Sequence, residues 1–297
     1  MVVIDAPGSI SVHRGFSLVA SLRHNLLVDR FFDVLYQGPI SRQMQKYVRE
    51  CAERVEKITS AKLNENWLRL IHGYWATTLA RILLVAQSYK HGGAFVILPD
   101  DSPSGLAFKY QITYDRIAKA LPRLFKTFIE TESNHERMKD LRRKDEMSVN
   151  LHLAMSINET EMEDTNDEIA GAVRTVASMS RIDGLVVLDS ALGVKGFGTE
   201  IVADGKPSAI FSAGDELGSE NFLRLVNYDQ YGTRHRSMFK LCHLRPGAIG
   251  FIVSQDGDVR AAFNVGTKII LWENIALRYS PPLETSRAKK AFGSKGR

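Results

Sequence analysis

Residues Tyr231 to Lys240 read YGTRHRSMFK, and they set Arg234, His235 and Arg236 directly after Gly232-Thr233 and directly before a stretch of helical propensity. Thr233 is a good N-cap residue, and Arg245-Pro246-Gly247 ends the helical stretch, so the spacing predicts a helix that starts near residue 233. A helix N-terminus offers free N–H groups and positive potential, which repels cations unless an anion joins them. Arginine forks match phosphate oxygens in two-point fashion. Gly232, Thr233, Arg234, His235 and Arg236 are therefore candidates to hold the phosphates of a ligand. The competing reading is a surface loop whose cations are neutralised by neighbouring acids.

A second candidate lies in RIDGLVVLDSALGVKGFGTEI, from Arg181. Its apolar runs GLVVL and LGVKGF flank a short polar turn and read as paired strands, with Asp183-Gly184 at the entrance of the first. Local turn chemistry explains an Asp-Gly pair, because aspartate accepts backbone hydrogen bonds and glycine permits unusual dihedrals. The functional alternative is that Gly184 lets a ligand approach the backbone while Asp183 offers a carboxylate to a metal or a hydroxyl. A third candidate is AIGFIVSQDGDVRAAFN, read as strand, tight Asp-Gly turn and strand, with Ser254 and Asp256 at the strand end.

Elements must carry these residues. TTLARILLVAQSYK puts Leu79, Ile82, Leu83 and Ala86 on one helical face, and His91-Gly92-Gly93 should stop that helix before the buried strand AFVILP. The region up to about Glu65 leans helical, through DRFFDVLY and RQMQKYVRECAERVEKI. Ser133 to Met147 reads as a solvated helix or loop. SVNLHLAMSI alternates Val149, Leu151, Leu153, Met155 and Ile157, which predicts a half-buried strand. Thr165 and Glu168 stand at capping-box spacing before a helix striped by Ile169, Ala172, Val173, Val176 and Ala177.

Composition bounds the rest. The chain has 297 residues, 44% hydrophobic and 25% charged, which fits one large globular domain or a domain with an appendage and excludes wholesale disorder. Cys51 and Cys242 are far apart with no metal-ligand spacing. MVVIDAPGSIS lacks the layout of a signal peptide, and no apolar run reaches membrane-spanning length, so a soluble cytoplasmic protein is expected. The net charge of +5, part of it in the tail SRAKKAFGSKGR, is compatible with phosphate-bearing partners. Nucleic acid is not the expected partner, because no helix-turn-helix or aromatic-basic interleaving stands out. Walker A, dinucleotide and HExxH motifs do not occur.

Taken in order, Asp183 to Leu185, Gly232 to Arg236 and Ser254 to Asp256 resemble the DGA, RHR and SEE elements of the diadenylate cyclase domain family. GGAFVILP resembles that domain's early GAL strand, so the resemblance spans roughly Tyr74 to Asn274. It implies an α/β fold, a mixed β-sheet flanked by helices with ATP at the strand and loop ends. The expected division is a mostly helical region of unassigned role at 1–65, a diadenylate cyclase-like nucleotide-binding domain at 66–280 and a basic tail at 281–297. Family members join two ATP into cyclic di-AMP with loss of pyrophosphate, using Mg²⁺ or Mn²⁺, across a face-to-face homo-oligomeric pair. By resemblance, Asp183 would activate the ribose 3′-hydroxyl near the metal, and Gly184 and Leu185 would lie beside the nucleotide. Thr233, Arg234, His235 and Arg236 would hold phosphates, while Ser254 and Asp256 would match the serine and last acid of SEE, with Asp183 and Asp256 on the metal. Leu185 in place of alanine, Gln255 in place of an acid and the segment GFGTEI depart from the pattern. A nucleotide sensor of the same fold is the alternative expectation.

Overall fold

The computed structural model of the chain describes residues 1–6, 9–14, 17–23, 26–28, 31–144, 148–202, 205–255 and 258–277. Period-two runs at the start of the chain form an antiparallel meander of β1 (Val2–Ala6), β2 (Ser9–Arg14), β3 (Ser17–Arg23) and β4 (Leu26–Val28). The helical expectation for residues 1–65 is corrected here. Helix begins only at α1 (Gly38–Thr59), and residues 31–36 of DRFFDVLY are bridge and turn, with Phe32 pairing to Ile275. The alternation Val2, Ile4 and Ile10, Val12 is a strand signal that the three-and-four spacings further on had masked.

Helix α2 (Glu65–Ser88) is capped by Asn64, whose side chain accepts from the N–H groups of Asn66 and Trp67 at 3.0 and 3.1 Å. It ends at Ser88, short of the expected stop at His91-Gly92-Gly93, and the left-handed residue after the Tyr89 cap is Lys90, at φ +52°, rather than a glycine. Next come β5 (Gly93–Ile97), β6 (Leu106–Ala107), β7 (Tyr110–Tyr114), α3 (Arg116–Arg143) and α4 (Val149–Met179). The strand expected over SVNLHLAMSI and the helix start expected at Thr165 are both replaced by the single helix α4. Ser148 is the cap, its Oγ accepting from the Leu151 N–H at 3.3 Å. Leu151, Asn158, Thr165 and Ala172, seven apart, are buried, and α4 packs along α3. Val149, Leu153 and Ile157, which complete the alternation in sequence, are left exposed.

The chain then alternates short strands and one more helix: β8 (Leu185–Leu188), β9 (Val194–Ile201), β10 (Ile210–Ala213), β11 (Leu223–Val226), α5 (Thr233–Leu244), β12 (Ile249–Val253), β13 (Val259–Val265) and β14 (Lys268–Trp272). Among the described residues a ten-stranded mixed sheet runs β11-β10-β14-β13-β12-β5-β8-β9-β6, with β7 also on β9. β5 and β8 are parallel, as are β10 and β14, and the other pairs are antiparallel. The protein is therefore mixed α/β.

Strand alternation sorts the core into two layers. Phe95, Ile97, Val186, Leu188 and Phe251 face Trp75, Leu79, Phe125 and Val173 from the helices α2 to α4. Met44, Val48 and Val55 of α1 share that layer, so residues 38–59 and the sheet have one core. Ala94, Val96, Leu185, Val187 and Ile252 face the other way, against Met238, Phe239, Leu241 and Cys242 of α5.

Helix α5 sits low on that second face because β12 has no side chain at Gly250. A Cβ built there would lie 2.2 Å from Met238 Sδ and 2.4 Å from Met238 Cγ. Gly250→Ala should therefore cost about 1–3 kcal/mol through overpacking. In a double-mutant cycle by urea denaturation, Gly250→Ala combined with Met238→Ala should be less destabilised than the sum of the single changes by about 0.5 kcal/mol or more.

Candidate functional site

Register brings the candidate residues to one end of the sheet. β12 runs antiparallel to β5, with Val253 opposite Gly93, and β8 runs parallel to β5, with Val186 beside Phe95. β9 returns antiparallel to β8, with Leu185 opposite Thr199. The start of β8, the end of β9 and the end of β12 therefore share one edge of the second face, and α5 lays its first turn over them. Between helix and strand ends lies a cavity of about 790 Å³. Gly184 and Leu185, Gly232 to His235, and Ser254 with Gln255 all line it, so residues from each of the three sequence elements meet in one wall.

The remaining candidates are placed differently. Asp183 is exposed and adjoins the wall through Gly184 without lining the cavity itself. Arg236 faces a neighbouring recess with Lys206 and Lys240. Asp256 lies outside the described residues, as does the tail from residue 278. Thr233 is not the cap: Gly232 holds the N-cap position, Thr233 is the first helical residue, and no side chain caps the helix. The first-turn N–H groups thus lack a side-chain acceptor at the cavity edge. Gly184 has φ +114°, and a Cβ on it would meet the Gly198 carbonyl carbon at 2.5 Å. The crossing of β8 and β9 backbones, rather than a ligand, is thus sufficient to require glycine here.

Three features went unread in the sequence. Arg260 of β13 donates from Nη1 to His235 Nε2 at 3.0 Å, and its own Nε is buried with no partner among the described residues. Thr199 is buried in the cavity wall, its Oγ1 without a partner among the described residues, and Glu200 follows it as an exposed carboxylate. Arg234 leans over the backbone at Gly92, where a Cβ would lie 3.0 Å from its Nη1. The alternation of RAAFN could have marked Arg260 as a cation placed among small residues on a strand; nothing local marks Thr199.

Electrostatics divide the labour in the wall. Burial, followed by the neighbouring Arg260 and Arg234 guanidiniums, depresses His235 from its ordinary 6.5 to about 4. The ring packs near Tyr231 at a centroid distance of 5.5 Å. It is neutral at physiological pH, its Nε2 accepts from Arg260, and its proton sits on Nδ1. The positive charge at the cavity therefore comes from Arg234 and the helix terminus, not from the histidine. Ala94, Leu185, Met238 and Ile252 give the same cavity an apolar side. Charge at one wall and apolar surface at another suit an amphiphilic ligand with an anionic end.

No protein-family model matches the chain, and no curated protein matches it. Among the described residues no group of three or more His, Cys, Asp or Glu could hold a metal ion, and no helix is long and apolar enough to cross a membrane.

The site generates two stability predictions. Gly184→Ala meets both the positive φ and the Gly198 backbone, and should lower stability by about 1–3 kcal/mol in urea denaturation. His235 is neutral in the fold but protonates near 6.5 when unfolded, so the unfolded state binds more protons between the two values. Stability should fall as pH drops from about 6.5 to about 4. Buried His72, also depressed, contributes in the same direction, so the comparison is with His235→Gln, which should lose part of the slope in a pH series of unfolding midpoints.

Proposed function

We propose that the chain binds ATP or a related nucleotide in this cavity and acts as a diadenylate cyclase, condensing two ATP into cyclic di-AMP with release of pyrophosphate. The observation that carries the proposal is the convergence of Gly184-Leu185, Gly232–His235 and Ser254-Gln255, remote in sequence, on one cavity. The finer assignment of the fold as diadenylate cyclase-like belongs to the same proposal.

Each wall has a part in it. Arg234 and the uncapped first turn of α5 receive the phosphates, since charge-assisted hydrogen bonds to oxyanions are the strong ones. Neutral His235 adds a hydrogen-bonding group without adding charge. Leu185, Met238 and Ile252 cover the less polar part of the nucleotide. Asp183, exposed beside the wall, would take the proton of an attacking 3′-hydroxyl. A magnesium-type cation uses one or two carboxylates plus substrate phosphates, so Asp183, with Asp256 as the second ligand the resemblance implies, would hold Mg²⁺ or Mn²⁺. Such a cation supplies charge neutralisation at the transferring phosphoryl group. One chain carries one set of these elements, so closing a two-fold product ring requires a second copy facing the first. A cytoplasmic location is part of the same proposal.

Gln255 supports a second reading. It lines the cavity where the family carries an acid, and an amide brings no charge to a metal. Nucleotide binding without turnover, a sensor, follows if that acid is indispensable.

Purified protein incubated with ATP and Mn²⁺, with products separated by chromatography, distinguishes the two. The cyclase reading expects cyclic di-AMP, a rate that rises faster than linearly with protein at low concentration, and loss of turnover with retained ATP binding in Asp183→Asn. ATP bound without product selects the sensor. Absence of ATP binding overturns both.

A further inference from the structure

Across the first turn of α5 from the nucleotide cavity lies a second recess, of about 500 Å³. Lys206, Tyr228, Arg236 and Lys240 wall it, and Thr233 and Ser237 belong to both walls. The cations come from two separate segments. Arg236 and Lys240 are one turn apart on α5, an arrangement in which like charges destabilise a helix. Among the described residues neither has a carboxylate partner. The carboxylate that Lys206 reaches among the described residues is the exposed Asp229, at 3.8 Å.

The recess is built rather than incidental. Lys206 Nζ is held 4.5 Å above the centre of the Tyr228 ring. That ring packs near Phe239 of the core, at 6.4 Å between centroids, and its hydroxyl donates to the Arg236 carbonyl at 3.5 Å. One tyrosine thus anchors both the lysine from the loop and the backbone of the arginine on the helix. Hydroxyls at Thr233 and Ser237 add uncharged donors between the cations. A carboxylate would occupy one cation and leave the others facing each other. A tetrahedral oxyanion with several charged oxygens can engage all of them together.

We infer that this recess is an anion site distinct from the nucleotide cavity, and that its ligand is condensed phosphate of the pyrophosphate class. The inference needs only the recess and its cations, and it stands whether or not the chain turns ATP over. The same chemistry has two sources: free pyrophosphate, or the terminal phosphates of a nucleotide whose remainder occupies the cavity beyond Thr233 and Ser237.

The test is a titration of the full chain with sodium pyrophosphate, followed by calorimetry and by phosphorus NMR. Wild type should bind, and Lys206→Ala/Lys240→Ala should weaken binding by about tenfold or more. Lys206→Gln/Lys240→Gln keeps most of each side chain's stem, so the same loss there identifies charge rather than packing as the cause. A parallel ATP titration separates the sources. ATP affinity that falls together with pyrophosphate affinity in the double variants identifies the nucleotide's own phosphates, and unchanged ATP affinity identifies free pyrophosphate. No pyrophosphate binding by wild type, or no loss in the double variants, overturns the inference.

Discussion

How closely α5 can lie on the sheet decides whether the cavity exists. Gly250 is the permissive residue: with no side chain on β12 at that point, Met238 and Cys242 settle onto the strand backbone. Phe239 and Leu241 are then buried with them against the second face of the sheet. The helix is short, so seating its apolar residues determines where its first turn lands. That position is above the ends of β8, β9 and β12. The sheet registers supply the other half of the constraint. A one-residue slip of β5 would turn Phe95 and Ile97 toward α5 and lift the helix off the strands.

From that seating follows a partition of cations that the sequence sets side by side. Arg234 and His235 enter the cavity wall, while Arg236 turns to the recess on the other flank of the same helix turn. The histidine between them is half-buried next to Arg260 and stays neutral, so it separates two positive sites without adding a third charge. Cations placed at an uncapped helix start repel its dipole. Anions on both flanks would resolve that conflict, so the phosphate chemistry proposed for the cavity and that inferred for the recess have one physical origin.

Much of this architecture is legible in the residues. The helix at Thr233, the paired strands around Asp189, the hairpin through Ser254 and the α2 to β5 unit stand where periodicity and turn residues put them. Gathering Gly184, Arg234 and Ser254 in one wall is visible only through a resemblance in the order of motifs, because no local signal carries a contact between strand ends. The misreadings have definite causes. Val149, Leu151, Leu153, Met155 and Ile157 alternate like a strand, yet the seven-residue spacing of Leu151, Asn158, Thr165 and Ala172 prevails once α3 is present to pack on. The period-two signal of β1 to β4 is short and broken beside the stronger helical pattern of α1. Arg260 and Thr199 were invisible because their importance lies in neighbours across the sheet, and the glycine at 184 answers to Gly198 before it answers to any ligand.

Arg234 is the residue on which the nucleotide reading of the cavity rests, since it is the arginine that both lines the cavity and stands at the start of α5. Calorimetric titration of ATP into the wild-type chain and into Arg234→Ala addresses it directly. Loss of a charge-assisted phosphate contact is worth roughly 1.5–3 kcal/mol, so affinity should fall by about tenfold to a hundredfold or slightly more while the unfolding midpoint of the free protein holds or rises. An ATP affinity that is the same in both proteins would contradict a phosphate site in this cavity.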